Sequence, residues 1–505
     1  MNVLDYTYIS FPVLCMSIIV LMIILNIHGG IGMSNSIFKF ASNDLKNLLA
    51  ICKPEQLLYA PIDVAKYNHS AMIVNLLGEV ITPKFDFPYN LHGIDFLKNK
   101  LQSACDISHA KKLFLALEST GHYHENLVAS LVDSGYDIAV IRPIDSKNER
   151  DNVHAKTDAI DLAAIARVVI SNKGTRSNMP DTVYYNLQRA SRTHRQLTWQ
   201  DTRVKNIITM LIDKTFNGLW NPDNEIFADK WGKASLLFVS QYPTPQQAIK
   251  MGAKRLSEFF KKHNTKLGID TADKIIALAK NTPTRPLDVM ESDIKAVKSN
   301  IVILQALLSE IVEQKKQMVK FLIQTPGIYL LSIPGISVVY AGDFTAEVGD
   351  IHRFAYAGQV VSLAGTAPRK YQSGELDKAN LPTSHKGKNL LRMTVNQIAL
   401  SLNTHCPEFH KYYSDKLFHY QDAPPKARTA TANRFIKLAY AMMKSETLYS
   451  PKTGNPLTTE REYYQSVWNK VKEKLTDYLS DDIPQDNYLV KIADQLEEKY
   501  GIIQD

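Results

Sequence analysis

Apolar and polar positions divide the chain into a strand-rich first part and a helical remainder. Residues 57–64 (LLYAPIDV) form a short apolar run that predicts a strand, and 70–77 predict a second, ending at the turn residues Gly78 and Glu79. Helical spacing follows over 93–104. Residues 112–117 (KLFLAL) read as a buried strand, 123–134 as a helix, and 137–141 (DIAVI) as a strand that stops at Arg142 and Pro143. An alanine-rich helix is expected over 158–169. Antiparallel strands followed by strands alternating with helices describe a mixed-sheet α/β domain over 50–175.

Beyond Pro180 the spacing turns helical. Over 183–216, Arg189, Arg192 and Arg195 recur at three-residue steps, with Arg203 and Lys205 further on. That spacing sets guanidinium groups on nearly one helix face, suited to a phosphate backbone or simply to solvent. Over 294–322, Ile294, Val297, Ile301, Leu304, Leu308, Ile311, Met318 and Leu322 alternate by threes and fours, interrupted by Lys315. Such a seam predicts a left-handed coiled coil, either between two copies or within a helical hairpin. We expect a homo-oligomer, dimer or tetramer, through this seam. Segment 180–325 thus reads as a helical linker.

Residues 330–354 place Pro334 and Gly335 between two helical stretches. The pair resembles a helix-hairpin-helix turn, where Gly335 would let backbone N–H groups approach a phosphate; an ordinary interhelical turn is the plainer reading. A mainly helical domain over 328–446 and a polar helical tail over 450–505 complete the chain.

Composition changes this picture little. The 505 residues are 45% hydrophobic and 22% charged, and 59 Lys+Arg against 51 Asp+Glu leave a net charge of +8, which permits a polyanionic partner without requiring one. Cys15, Cys52, Cys105 and Cys406 are scattered, which excludes a disulfide framework and a cysteine-based zinc site and fits a reducing cytoplasm. Residues 11–27 are almost wholly apolar, yet short for a membrane span and without a preceding basic residue. The expectation is that translation starts at Met33 and that 1–32 are not part of the protein. A membrane is expected only if 11–27 are a real anchor.

Four acidic residues stand out by context. Asp63 sits in an apolar strand, Glu118 closes LFLALE, and Asp158 and Asp161 lie three apart on one helix face. A carboxylate in an apolar strand needs compensation, and oxygen-seeking divalent cations supply it. Two such ions can stabilise the attacking and leaving oxygens of phosphodiester cleavage. Singly, each acid has a plain explanation, Asp158 as a helix N-cap above all.

The strings PIDVAKYNH, ALESTGHYHENLVASLVDSGYDIAVIRP and KTDAIDLAAIA resemble the RuvC-like, RNase H-like domain of the DEDD insertion-sequence transposases, the insertion-sequence one-hundred-ten family. SIPGIS, AEVGDIHRF, LAGTAPRKYQSG and SHKGKNLLR resemble that family's C-terminal transposase domain, and TATANRFIKLAYAMMKS its closing helix. The similarity runs through about 56–216 and 328–446. It implies a Mg²⁺- or Mn²⁺-dependent DNA transposase with the tetrad on Asp63, Glu118, Asp158 and Asp161 as metal ligands. The family's nucleophilic serine falls on Ser373, forming a covalent phosphoserine link to DNA. Oligomeric assembly is implied as well, and in some members a structured guide RNA.

A serine needs activation to attack. Arg369, Lys370, Lys378, Lys386, Lys388 and Arg392 surround Ser373 in sequence and could neutralise developing charge. Ser384 is the fallback nucleophile. The nucleic-acid contacts expected are Arg189, Arg192, Arg195, Arg203, Lys205, Gly335, Arg369, Lys386, Lys388 and Arg392. The chain departs from the family pattern in a longer 217–290, in the tail, and in His122 and His124 after Glu118. The alternatives are a RuvC-like structure-specific or junction-resolving nuclease using water, and a non-catalytic nucleic-acid-binding protein.

Overall fold

The computed structural model describes residues 48–502, except 120, 151–156, 172–180, 266, 369–371, 374–375, 378–382, 384, 452–458, 480–483 and 486. The apolar run 11–27 and the start at Met33 lie outside the described residues. Among those described, no helix is long and apolar enough to cross a membrane. The chain forms two compact units that divide between residues 179 and 180.

In the first unit the strands are β1 (Leu57–Asp63), β2 (Asn68–Asn75), β3 (Val80–Pro88), β4 (Lys112–Glu118) and β5 (Asp137–Ile141), in sheet order β3-β2-β1-β4-β5. β1 to β3 are antiparallel neighbours, while β4 and β5 run parallel to β1. Strand β3 was not foreseen in the sequence. It is a sheet edge with Phe87 as its buried residue, so its hydrophobic alternation is faint, and an edge tolerates Pro83. Alternate residues of β1 face opposite layers. Leu58, Ala60 and Ile62 pack with α1 (Leu91–Ile107) and α2 (His124–Asp133), whereas Leu57 and Tyr59 pack with α4 (Asp158–Ile170). A short α3 (Pro143–Arg150), also unforeseen, precedes α4.

The second unit is built on two long helices, α5 (Thr182–Thr215) and α10 (Glu291–Leu322). Val297, Ile301 and Leu304 of α10 pack with Val204, Ile208 and Ile212, while Met318 and Leu322 pack with Leu187 and Ala190. The pairing is therefore antiparallel and within one chain, the hairpin form of the seam. Its middle is open: Leu308 is 36% and Val312 44% exposed. There Lys315, the residue that interrupts the heptads, acts on His194 of α5.

Helices α6 (Lys233–Gln241), α7 (Pro245–Met251), α8 (Ala253–Lys262) and α9 (Ile269–Asn281) close a core at the tip of the hairpin, around Phe216, Phe238 and Phe260. At its base a 3₁₀ turn (Pro326–Ser332) leads through Pro334 and Gly335 to α11 (Val338–Val348), α12 (Ala357–Ala364), α13 (Asn389–His405), α14 (Pro407–His419) and α15 (Pro424–Ser445). Gly335 has φ +87°, and an added Cβ would lie 3.0 Å from His405 Cβ, so packing alone demands glycine. The tail helices α16 (Glu460–Leu475) and α17 (Tyr488–Tyr500) belong to the same core, through Trp468, Val471, Ile492 and Leu496. Lys474 donates to the carbonyls of Leu331 (2.7 Å) and Ile336 (2.8 Å), holding the Pro334–Gly335 turn from the tail side.

His194 is buried, and its Nε2 bonds to none of the described residues. Burial first, then the charges of Lys315 and Arg195, push its pKa down from 6.5 to about 4. The unfolded chain takes up a proton below pH 6.5 that the folded chain refuses, so this stability is full above 6.5 and lost as pH falls toward 4. His194→Gln is expected to flatten the fall of Tm over that window, measured by thermal denaturation. An unchanged slope would refute the assignment.

Candidate active site

Strand parity sets the first two acids. Asp63 has the parity of Leu57 and Tyr59, and Glu118 that of Phe114 and Ala116, so both stand on the α4 face. β1 and β4 run parallel with Ile62 opposite Leu117, which makes Asp63 and Glu118 neighbours at the carboxyl ends of their strands. Thr157 is the N-cap of α4, its Oγ accepting from Ile160 N at 3.4 Å. Asp158 is thus not the cap. It shares the first turn with Asp161, where the helix dipole favours negative charge.

The electrostatics show that the four converge. The Asp63 carboxyl is raised above the usual range by burial first, then by the charges of Asp161, Glu118 and Asp158, with Arg150 opposing. Arg150 reaches Asp161 at 2.8 Å and Glu118 at 3.7 Å. The Ser146 hydroxyl donates to Glu118 at 2.5 Å, and Lys84 donates to Asp158 at 2.7 Å. Sequence reasoning missed Lys84, Ser146 and Arg150, which carry no motif of their own. His122 rests on Tyr123 with ring centroids 4.4 Å apart, and His124 is the first residue of α2.

Among the described residues no three acidic, histidine or cysteine side chains stand ready to hold an ion. The reason lies in the contacts just given: Arg150 and Lys84 draw three of the carboxylates onto themselves. The donor set nonetheless fits a hard divalent cation, being all oxygen, and Asp63 is a buried carboxyl, raised first by desolvation and then by three neighbouring acids.

In the second unit Ser373 lies on a two-residue strand, β6 (Gln372–Ser373), paired antiparallel with β7 (Leu376–Asp377). The bridge Pro368↔Thr383 closes the base of this segment. His385 N donates to Gly365 O (3.2 Å) and Lys388 N to Leu363 O (2.7 Å). Gly387 fits this clamp because a Cβ there would fall 2.4 Å from Leu363 O. Arg369, Lys370, Lys378 and Ser384 lie outside the described residues.

The expected nucleic-acid contacts separate by environment. Arg195 is buried against Asp343 and donates to Thr394 Oγ at 2.7 Å, and Arg192 binds Glu347 at 2.8 Å. Lys388 donates to the Glu347 carbonyl at 2.7 Å; burial lowers its pKa, against the pull of Glu347. Burial pushes Glu347 up, but Arg192 and Lys388 outweigh it and hold the carboxyl low. Arg192, Arg195 and Lys388 thus each meet an acid of α11, Arg195 nearly buried and Arg192 with 41% of its side chain exposed. Their partners were legible as two acids in the apolar segment VVYAGDFTAEV. Arg189 lies over Tyr185, and Lys205 pairs with Asp201 and lies over Trp231. Arg203 and Lys386 are exposed. Arg392 donates to Asn389 and lines a large cleft.

Residues 60–217 match the DEDD transposase family model of the IS110 group, and 328–414 match that of the transposase IS116/IS110/IS902 family. The insertion element IS116 uncharacterized 44.8 kDa protein of Streptomyces clavuligerus is 22% identical over 412 residues, 78% of this chain and 96% of that protein. The insertion element IS900 uncharacterized 42 kDa protein of Mycobacterium paratuberculosis is 25% identical over 232 residues, 44% of this chain and 55% of its own length. The first match contains all four carboxylates and the second contains Ser373, and on these matches the chain belongs to the IS110 family of DEDD transposases.

Proposed function

We propose that the chain is a DNA transposase that cleaves and rejoins strands with a carboxylate-held divalent cation and a serine nucleophile. The observation that carries this reading is the convergence of Asp63, Glu118, Asp158 and Asp161 at the ends of β1 and β4 and the first turn of α4. The sheet order β3-β2-β1-β4-β5, with two parallel strands beside β1, supports an RNase H-like assignment. The four carboxylates would hold Mg²⁺ or Mn²⁺, which when bound stabilises the attacking and leaving oxygens of a phosphodiester. Arg150 and Lys84 then give up the carboxylates they now neutralise.

Ser373 Oγ attacks the phosphorus and loses its proton, while the displaced deoxyribose oxygen takes one up. The phosphoserine ester keeps the bond energy, and the hydroxyl of a second strand end reverses the step and returns the proton to Ser373. Exposed Lys386 and half-buried Arg392 supply positive charge along the chain from the serine. A structured guide RNA belongs to the same reading. So does a homodimer, whose second copy covers Leu308 and Val312, left exposed one turn apart on α10.

Three outcomes are expected. Ser373→Ala loses the covalent protein–DNA adduct, seen by denaturing electrophoresis, and keeps the rise in Tm on adding Mg²⁺; an adduct that persists sinks the serine. Asp63→Asn slows strand cleavage by about 10³-fold, the several kcal/mol a metal contributes. Because ionised Asp63 is disfavoured in the fold, its penalty grows as pH rises through its elevated pKa. The same variant is therefore more heat-stable than wild type at neutral pH without metal, a gain that shrinks on acidification. A lower Tm would contradict the crowding. Leu308→Asp with Val312→Asp gives a monomer by light scattering, and an unchanged oligomer rejects that contact.

A further inference from the structure

The second unit holds a cleft of about 1550 Å³ walled by α13, α14, α15 and the backbone at Thr366, Pro368, Thr383 and His385. It is larger than the ~300–1,000 Å³ of small-molecule pockets. Six cations line it, Arg392, Lys416, Lys426, Arg428, Arg434 and Lys437, against one carboxylate, Glu408, whose Oε2 accepts from Tyr449. None of the six is ion-paired with a carboxylate among the described residues.

Aromatic rings alternate with these charges. The Arg434 guanidinium stands over Tyr412 at 4.5 Å and near Phe409 at 5.3 Å, and Lys416 stands 5.6 Å from Tyr412 and 6.0 Å from Tyr420. In the same walls, Arg428 Nε and Asn433 Oδ1 are shielded from solvent and bond to none of the described residues. Buried polar groups in folded proteins are nearly always paired, so an unused donor and an unused acceptor point to a missing partner. Tyr420, Arg428, Asn433, Arg434 and Lys437 all lie beyond residue 414, where the family match ends.

We propose that this cleft binds an unpaired polynucleotide strand, with bases stacking on Tyr420 and the Arg434 plane and phosphates met by Arg428 and Lys437. The inference rests on the nucleic-acid reading above and names the form of the nucleic acid. Interleaved cations and ring planes suit a strand whose base faces are open; a duplex offers only edges and backbone. The bridge Pro368↔Thr383 is part of the wall, so the bound strand would run past the base of the Ser373 segment.

The test is fluorescence anisotropy with the full chain in EDTA, using labelled oligo-dT and oligo-rU of about 12 nucleotides and a duplex of equal length. Tyr420→Ala and Arg434→Ala are expected to weaken single-strand binding by about 5- to 150-fold each and to leave duplex binding unchanged. Tyr420→Phe should keep it. Exposed Lys437→Glu, which spares the fold, should weaken the strand and lower the salt slope by about one. Tighter dT or tighter rU each supports the cleft and identifies the strand as DNA or RNA. Wild-type affinity in Lys437→Glu and Tyr420→Ala, or an equal loss for duplex, overturns it. Binding is read in EDTA, apart from any strand cleavage, so failure of the serine chemistry, read by the covalent adduct, and failure of the cleft, read by anisotropy, are told apart.

Discussion

The burial of the Asp63 carboxyl beside three other acids is the constraint on which the first unit turns. The alternation of β1 and β4 sends Asp63 and Glu118 to the same face, and the first turn of α4 brings two more acids to them. A fold that simply minimised its own energy would not place them so, because each raises the cost of ionising Asp63. The compensation present is a guanidinium from α3 and an ammonium from β3. Any divalent ion entering this space competes with Arg150. Loading the site is therefore an exchange of counter-ions as much as a coordination event, and α3 is the element that feels it.

The second unit uses the opposite arrangement. Asp343 and Glu347 are buried one turn apart on α11, and cations from α5 and α13 meet them. Burial raises Asp343 even with Arg195 and Ser191 beside it, a sign that desolvation is only partly offset. Removing one partner from such a cluster costs about 3–5 kcal/mol. The cluster fixes how α5, α11 and α13 cross, and hence where the clamp at Gly365 and Gly387 holds the serine-bearing segment.

Much of the first unit was legible in the residues. Four of the strands and the helix carrying Asp158 and Asp161 follow from local spacing, and the four acids stand out by context. What escaped is what joins distant positions. Ser191 meets Asp343 across 152 residues, and Arg195 meets the same carboxylate across 148, so two members of the arginine row, Arg192 and Arg195, answer acids of α11 that local spacing does not reveal. The heptads of α10 declared a partner without saying that α5, in the same chain, supplies it. Edge strand β3 hides its pattern because one residue of nine is buried. The cleft is assembled from KYYSDKLFHY and ARTATANRFIK, two polar stretches that carry meaning only when α14 and α15 pack together.

The tail helices have a temporal consequence. One hydrophobic core contains both Leu187 and Ile502, so the material that seals it is made long after the material that begins it. Synthesis delivers a chain from its amino end, and domains fold as they emerge. The first unit can mature while translation continues, with its acidic cluster in place. The second must wait until Leu496 and Ile502 clear the ribosome, and until then the turn at Gly335 lacks the lysine that holds it. Completion of that core is thereby deferred until synthesis has passed Ile502, a delay written into the order of the residues.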